Sequence, residues 1–176
     1  AKWCTCKPCR DLGSPSTRHV LLVSRISRTL KNKRPSARLE CIAYSSYLDP
    51  PEKAAIDPSV LVDFCPIGQC FEVQINDPGN PANSKYAAAL QAWTKSFSGD
   101  ISIYSYYRKY AWHSLPTQIP HYMQNDLRYY LGQRVKGIST YAEPGDWFTY
   151  ELNHYVLSYL AWDPNADVDG LISDFC

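Results

Sequence analysis

Apolar positions along the chain switch between two spacings, and proline and glycine punctuate the switches. Val20, Val23, Ile26 and Leu30 repeat at helical spacing behind Ser14-Pro15, a capping hydroxyl followed by proline at the first helical position. Lys31, Lys33 and Arg34 suit the negative end of that helix dipole, and Pro35 stops it. Residues 38–45, RLECIAYS, read as a buried strand, and Asp49-Pro50-Pro51 can continue neither a strand nor a helix. A second strand is predicted over 59–65, SVLVDFC. The link between these strands is short and proline-rich, so no crossover helix is expected there.

A long loop runs from Pro66 to Pro81, with a turn at Asp77-Pro78-Gly79. Tyr86, Leu90, Trp93 and Phe97 mark a helix, and a third strand over 100–107, DISIYSYY, starts directly after Gly99. The loop from Arg108 to Pro120 carries Tyr110, Trp112 and His113. Met123, Leu127 and Tyr130 mark a helix that ends near Gly132, ahead of a fourth strand over 135–141, VKGISTY. Phe148, Leu152, Tyr155 and Tyr159 predict a long helix stopped by Asp163-Pro164, and a last helix is expected over 166–175. The order α-β-β-α-β-α-β-α-α predicts an α/β fold of parallel strands, in sequential order, joined by right-handed crossovers. One domain spans 1–176, with no internal repeat and no interior linker.

Composition narrows the function. The net charge of +1 supplies no field to attract nucleic acid or an anionic membrane. No apolar run approaches the roughly 20 residues of a membrane span. No Ser-His-Asp spacing, phosphate-binding loop or dinucleotide fingerprint is present. The chain holds 14 Tyr and 5 Trp, side chains that join a flat apolar face to a polar edge. Seven cysteines fit an oxidising compartment, so a secreted or periplasmic protein is expected. No Asn-x-Ser/Thr sequon supports that location independently.

Three of the cysteines form the cluster Cys4-x-Cys6-x-x-Cys9, and the spacing leaves disulfides or a metal site open. Disulfides are the expectation for a secreted chain, since no second C-x-x-C and no evident histidine completes a four-ligand set. Cys65 and Cys70 flank a loop that a disulfide could clip, and Cys41 reads as a buried thiol. No cofactor is expected and no metal ligand is assigned.

Several segments taken together resemble a bacterial domain of unknown function related to glycoside hydrolases of the alpha-glucuronidase and hexosaminidase kind. They are Trp3-Cys4-x-Cys6-x-x-Cys9, Gly13-Ser14-Pro15-Ser16, Ile42-Ala43-Tyr44, Pro50-Pro51, Val60-Leu61-Val62, Cys65 and Cys70-Phe71. Further along come Trp93, Ile103-Tyr104, His113-x-Leu115-Pro116, Val135-Lys136-Gly137-Ile138 and Leu160-x-Trp162-Asp163-Pro164. The resemblance covers nearly the whole chain and implies a (β/α)₈ barrel of which this chain supplies strands five to eight. A complete barrel takes about 250 residues. The other half-barrel, or another copy of the chain, is then the expected protein partner.

The resemblance also implies carbohydrate as ligand and general acid/base hydrolysis as chemistry, with the general acid upstream of Ala1. Glycoside hydrolysis uses two carboxyl groups flanking the bond, and barrel sites lie at the C-terminal ends of strands. Glu143 is the candidate catalytic carboxylate, displaced by a few residues from the Thr140-Tyr141 position where relatives carry a Glu. Glu72 and Asp146 are weaker candidates. Tyr44, Tyr106, Trp112, His113 and Trp147 are the candidate sugar-binding residues, because flat aromatics stack on sugar faces. The alternative is a non-catalytic secreted module that binds glycan or a partner with the same aromatics. Tyr44, Tyr106, His113 and Glu143 are expected to share one cleft.

Overall fold

The computed structural model describes residues 3–112 and 115–176. A short helix α1, Lys7–Asp11, precedes α2, Pro15–Lys33, whose cap is the predicted Ser14 accepting from the Thr17 N–H at 3.2 Å. The strands are β1 (Glu40–Tyr44), β2 (Leu61–Cys65), β3 (Ile101–Ser105) and β4 (Gly137–Thr140). Helix α3 (Pro81–Ser96) joins β2 to β3, and α4 (Pro120–Gly132) joins β3 to β4. Helices α5 (Glu151–Leu160) and α6 (Val168–Phe175) close the chain. Short 3₁₀ turns lie at Ser45–Tyr47, Tyr110–Trp112 and Pro144–Tyr150.

The four strands form one all-parallel sheet in the order β1-β2-β3-β4. Each is shorter than its apolar run, and β1 ends where Ser45 turns to a positive φ of 52°. The long helix predicted from Phe148 begins only at Glu151. Pro144 to Tyr150 winds as a 3₁₀ turn instead, and Phe148 is left 88% exposed. Helix α1 carries no apolar periodicity, which is why the sequence pattern misses it.

The β1–β2 link has no α-helix, as its prolines require. Leu48 and Ile56 from this link and Val60 at its end are buried where a crossover helix would pack. Trp93 on α3 ties the link down, its indole N–H donating to the Leu48 carbonyl at 2.6 Å.

Alternation along the strands divides the sheet into two faces. Cys41, Ala43, Val62, Phe64, Ile101 and Ile103 face the helices and share one core with Val20 and Val23 of α2, Leu90 and Trp93 of α3, and Tyr130 of α4. A second core joins α4, α5 and α6 through Met123, Leu127, Val156, Leu160 and Val168. The other sheet face carries Glu40, Ile42 and Tyr44 from β1, Asp63 and Cys65 from β2, and Ser102 and Tyr104 from β3. Ile42 stands 43% exposed on it, while Asp63 and Cys65 are buried. Among the described residues the sheet does not close, and β1 and β4 are its edges.

Gly99 marks a close approach of two links at the start of β3. A Cβ there would fall well inside van der Waals contact with both the Pro58 carbonyl oxygen and the Phe97 ring. Gly99→Ala is therefore expected to cost about 1–3 kcal/mol, read as a lower urea midpoint. An unchanged midpoint would show that the 58–60 segment yields freely.

Candidate functional site

Parallel pairing brings all four C-terminal strand ends to one edge of the sheet, with Tyr44 opposite Cys65 and Ser105 opposite Thr140. Tyrosines gather there. The Tyr106 ring lies 5.3 Å from Tyr104, edge to face, and 6.5 Å from Tyr141. Burial pushes the Tyr106 hydroxyl well above its ordinary range, and Cys65, Tyr44, Tyr104 and Asp63 add to the shift. Tyr44 thus belongs to the same neighbourhood as Tyr106. Tyr44 also packs edge-on to Tyr47 at 6.3 Å, and Tyr47 meets Trp3 at 5.7 Å. The result is two groups of aromatic rings along one edge of the sheet, Trp3–Tyr47–Tyr44 at β1 and Tyr104–Tyr106–Tyr141 at β3 and β4, together the tyrosine band.

Glu143 sits at the β4 end of this band, and its carboxylate accepts a hydrogen bond from the Tyr141 hydroxyl. That bond raises the Tyr141 pKa, because losing the phenolic proton would set two negative charges together. The buried guanidinium of Arg108 lies over the rings of Tyr141 and Tyr150, at 5.5 and 5.9 Å. A cation behind Tyr141 and a carboxylate in front of it hold that phenol as a fixed hydrogen-bonding element at the strand end.

The remaining candidates fall elsewhere. Trp112 stacks on Tyr150 at 6.4 Å, meets Phe71 edge-on at 5.7 Å, and packs on the second core. Trp147 stacks on His154 at 4.7 Å and stays 47% exposed. Glu72 is exposed on the Pro66–Pro81 loop. His113 lies outside the described residues, as does the side chain of Asp146. An apolar cavity of about 260 Å³ opens away from the tyrosines, between Leu127, Tyr130, Ile138, Leu160 and Trp162. It lines the free edge of β4 and holds no carboxylate.

Two further carboxyl groups lie within the strands, outside the strand-end positions that the sequence pattern singles out. Asp63 lies within β2 on the face away from the helices, where Ser102 Oγ donates to it at 2.6 Å. Burial raises its pKa, and burial together with the nearby Asp63 charge raises that of Glu40 on β1. These are two carboxyl groups on neighbouring strands, Asp63 buried and Glu40 exposed, whose pKa values lie above their ordinary range. Strand alternation gave the signal for Asp63, since it is two residues from Cys65 and out of phase with Val62 and Phe64.

Disulfides are a correction. All seven cysteines are free thiols. Cys65 turns its Sγ to the Asp63 carbonyl at 3.5 Å, while the backbone N–H of Cys70 is held by Asn83 Oδ1 at 2.8 Å. Burial pushes the Cys65 thiol up to about 12 and the Cys41 thiol up to about 11, so both are inert at neutral pH. Cys4 and Cys6 are exposed and Cys9 is half-buried, with their sulfurs gathered within 4.8 Å of one another.

A family model for a domain of unknown function, DUF4838, matches residues 1–176. The chain belongs to the DUF4838 family. No curated protein and no solved structure matches it. Membership in DUF4838 assigns no ligand and no reaction. No helix among the described residues is long and apolar enough to cross a membrane.

Proposed function

We propose that this DUF4838 chain is a carbohydrate-active, glycoside-hydrolase-like segment of a (β/α)-barrel, supplying strands five to eight, with the tyrosine band as its glycan-binding rim. The observation that carries the reading is the contact of Tyr106, Tyr141 and Glu143, with Tyr44 at the end of β1, along the C-terminal edge of a parallel sheet, the edge where barrel sites lie. Two features of the sheet support it. Its strand order never reverses, and its helices pack on one face, as right-handed crossovers in a barrel wall require. A doubly wound sheet would reverse direction and place helices on both faces. The helix-free face is rich in carboxyl, hydroxyl and phenol groups, which suits a sugar better than an apolar ligand.

The division of labour follows from the side chains. Tyrosine faces stack on sugar rings while their hydroxyls bond sugar hydroxyls. Glu143, oriented by Tyr141, accepts from a further sugar hydroxyl. Hydrolysis needs a second carboxyl group about 5 Å away in a retaining site, or roughly 6.5–9.5 Å away in an inverting one. The partner carboxyl, acting as general acid, then stands on polypeptide outside these 176 residues, on the half-barrel or copy that covers the open face. Secretion or export to the periplasm belongs to the same reading.

A non-catalytic glycan-binding module is the second reading. The engagement of Glu143 by Tyr141 favours it, because a base or nucleophile must be free to meet water or the anomeric carbon. Assays on the 176 residues with an oligosaccharide panel should show weak binding and no hydrolysis at an enzyme-like rate. Glu143→Gln should change binding modestly and leave turnover at zero. Robust glycosidase activity abolished by Glu143→Gln would mean that the catalytic pair lies within this chain.

A further inference from the structure

The N-terminal loop places three thiols together without linking them. Cys4 Sγ and Cys6 Sγ are 3.4 Å apart, and Cys9 Sγ lies within 4.8 Å of both. A tetrahedral ion with metal–sulfur bonds of about 2.3 Å needs its sulfurs roughly 3.8 Å apart. The trio therefore outlines one face of a tetrahedron with little rearrangement. Cys4 and Cys6 are exposed and Cys9 is half-buried, so the fourth position is open.

The surroundings hold this loop in place. Arg18 on α2 donates to the Cys4 carbonyl at 2.7 Å and lies over the Trp3 ring at 5.1 Å. The Trp3 indole N–H donates to Ser46 Oγ at 2.9 Å, just past the end of β1. Lys7 is engaged by Asp11 at 2.8 Å. Among the described residues no histidine or carboxylate joins the trio. The donor set is therefore three sulfurs, a soft set that selects thiophilic ions over Mg²⁺ or Ca²⁺.

We propose that Cys4, Cys6 and Cys9 bind Zn²⁺ as a three-thiolate site with an open fourth position, beside the Trp3–Tyr47 end of the tyrosine band. The thiols reach the ion as thiolates, and each releases its proton to solvent on binding. Affinity therefore rises with pH across the thiol range. The site pins the loop that carries Trp3 against Ser46 and Tyr47, and it stands whether or not the rim binds sugar.

Co²⁺ titration of the full chain, reduced with a phosphine, is the test. One equivalent should produce thiolate-to-cobalt charge-transfer absorption and the visible bands of tetrahedral Co²⁺, both erased by one equivalent of Zn²⁺. Cys6→Ser and Cys4→Ser should lose the stoichiometric bands while keeping the native circular dichroism, since both side chains are exposed. Cys70→Ser and Cys176→Ser should leave the bands intact. Absence of a saturable one-to-one band overturns the proposal, as do bands that survive both Cys4→Ser and Cys6→Ser. So does a disulfide within the trio, seen by intact mass in protein kept with Zn²⁺ and no reductant.

Discussion

Asp126→Asn should make this protein more stable than the wild type above pH 7 and leave it nearly unchanged near pH 4. Asp126 is 1% exposed on α4, accepting from Gln69 Nε2 at 2.5 Å and from the Ile75 N–H at 3.1 Å. Burial raises its pKa from 3.8 to about 7, against the opposing pull of those two bonds. Tyr107 and Tyr130 flank it and are themselves fully buried and neutral. A carboxyl group whose folded pKa lies above its unfolded value adds stability that is complete below the unfolded pKa. That stability is lost as pH rises through the folded pKa. The window here is about pH 4 to 7, and the loss across it is about 4 kcal/mol.

The neutral form has a partner waiting. Gln69 Oε1 is buried with no hydrogen bond, so an amide flip lets a protonated Asp126, or the amide of the asparagine that replaces it, donate to that oxygen. Urea midpoints at pH 5 and pH 8 check this. The wild type should lose stability between them and the asparagine variant should not. Asp126→Ala should cost about 2–4 kcal/mol at pH 5, where it leaves the Gln69 amide and the Ile75 N–H unpaired, and less at pH 8. Parallel profiles for wild type and Asp126→Asn would refute the account of this group.

Trp93→Ala should be among the most damaging substitutions in the chain. Trp93 is 2% exposed, meets Phe97 edge-on at 6.2 Å, and bonds the Leu48 carbonyl. Removing a buried indole costs about 3–5 kcal/mol, and the stranded Leu48 carbonyl adds about 1–3 kcal/mol. Against a total of about 5–15 kcal/mol for a domain, the variant should unfold at far lower urea. Trp93→Phe keeps most of the packing and should lose only about 1–2 kcal/mol, for the hydrogen bond. A loss below about 1 kcal/mol for Trp93→Ala would mean that the β1–β2 link is held by something else. The effect reaches the candidate site, because this link carries Ser46 and Tyr47, on which Trp3 rests.

Much of this architecture was legible because punctuation and pattern agree. Ser14-Pro15, Pro35, Gly99 and Asp163-Pro164 bound their elements, and the parallel sequential sheet follows from strand-helix alternation. Strand ends were overrun because β-branched and aromatic residues continue past the last ladder bond, as Tyr106 and Tyr107 do. Phe148 misled because a 3₁₀ turn breaks the helical period that the pattern assumes. The position of Tyr44, Tyr106 and Glu143 at or just past strand ends was legible from the pattern, whereas Trp112 packs on the second core. Asp63 was hidden inside what looked like an unbroken apolar strand. Asp126 could have been found, since it stands three residues after Met123 and four before Tyr130 on the buried face of α4. The cysteine spacing was plain, but only the fold brings the three sulfurs together unpaired.

Saturation-transfer NMR of the reduced chain, with a panel of neutral and uronic-acid oligosaccharides, tests the glycan-binding claim most directly. The wild type should transfer magnetisation to at least one glycan, and the signal should fall sharply in a Tyr44→Ala, Tyr106→Ala double variant that keeps its circular dichroism and urea midpoint. No transfer to any glycan, or transfer untouched by that double variant, would contradict a glycan site on the tyrosine band.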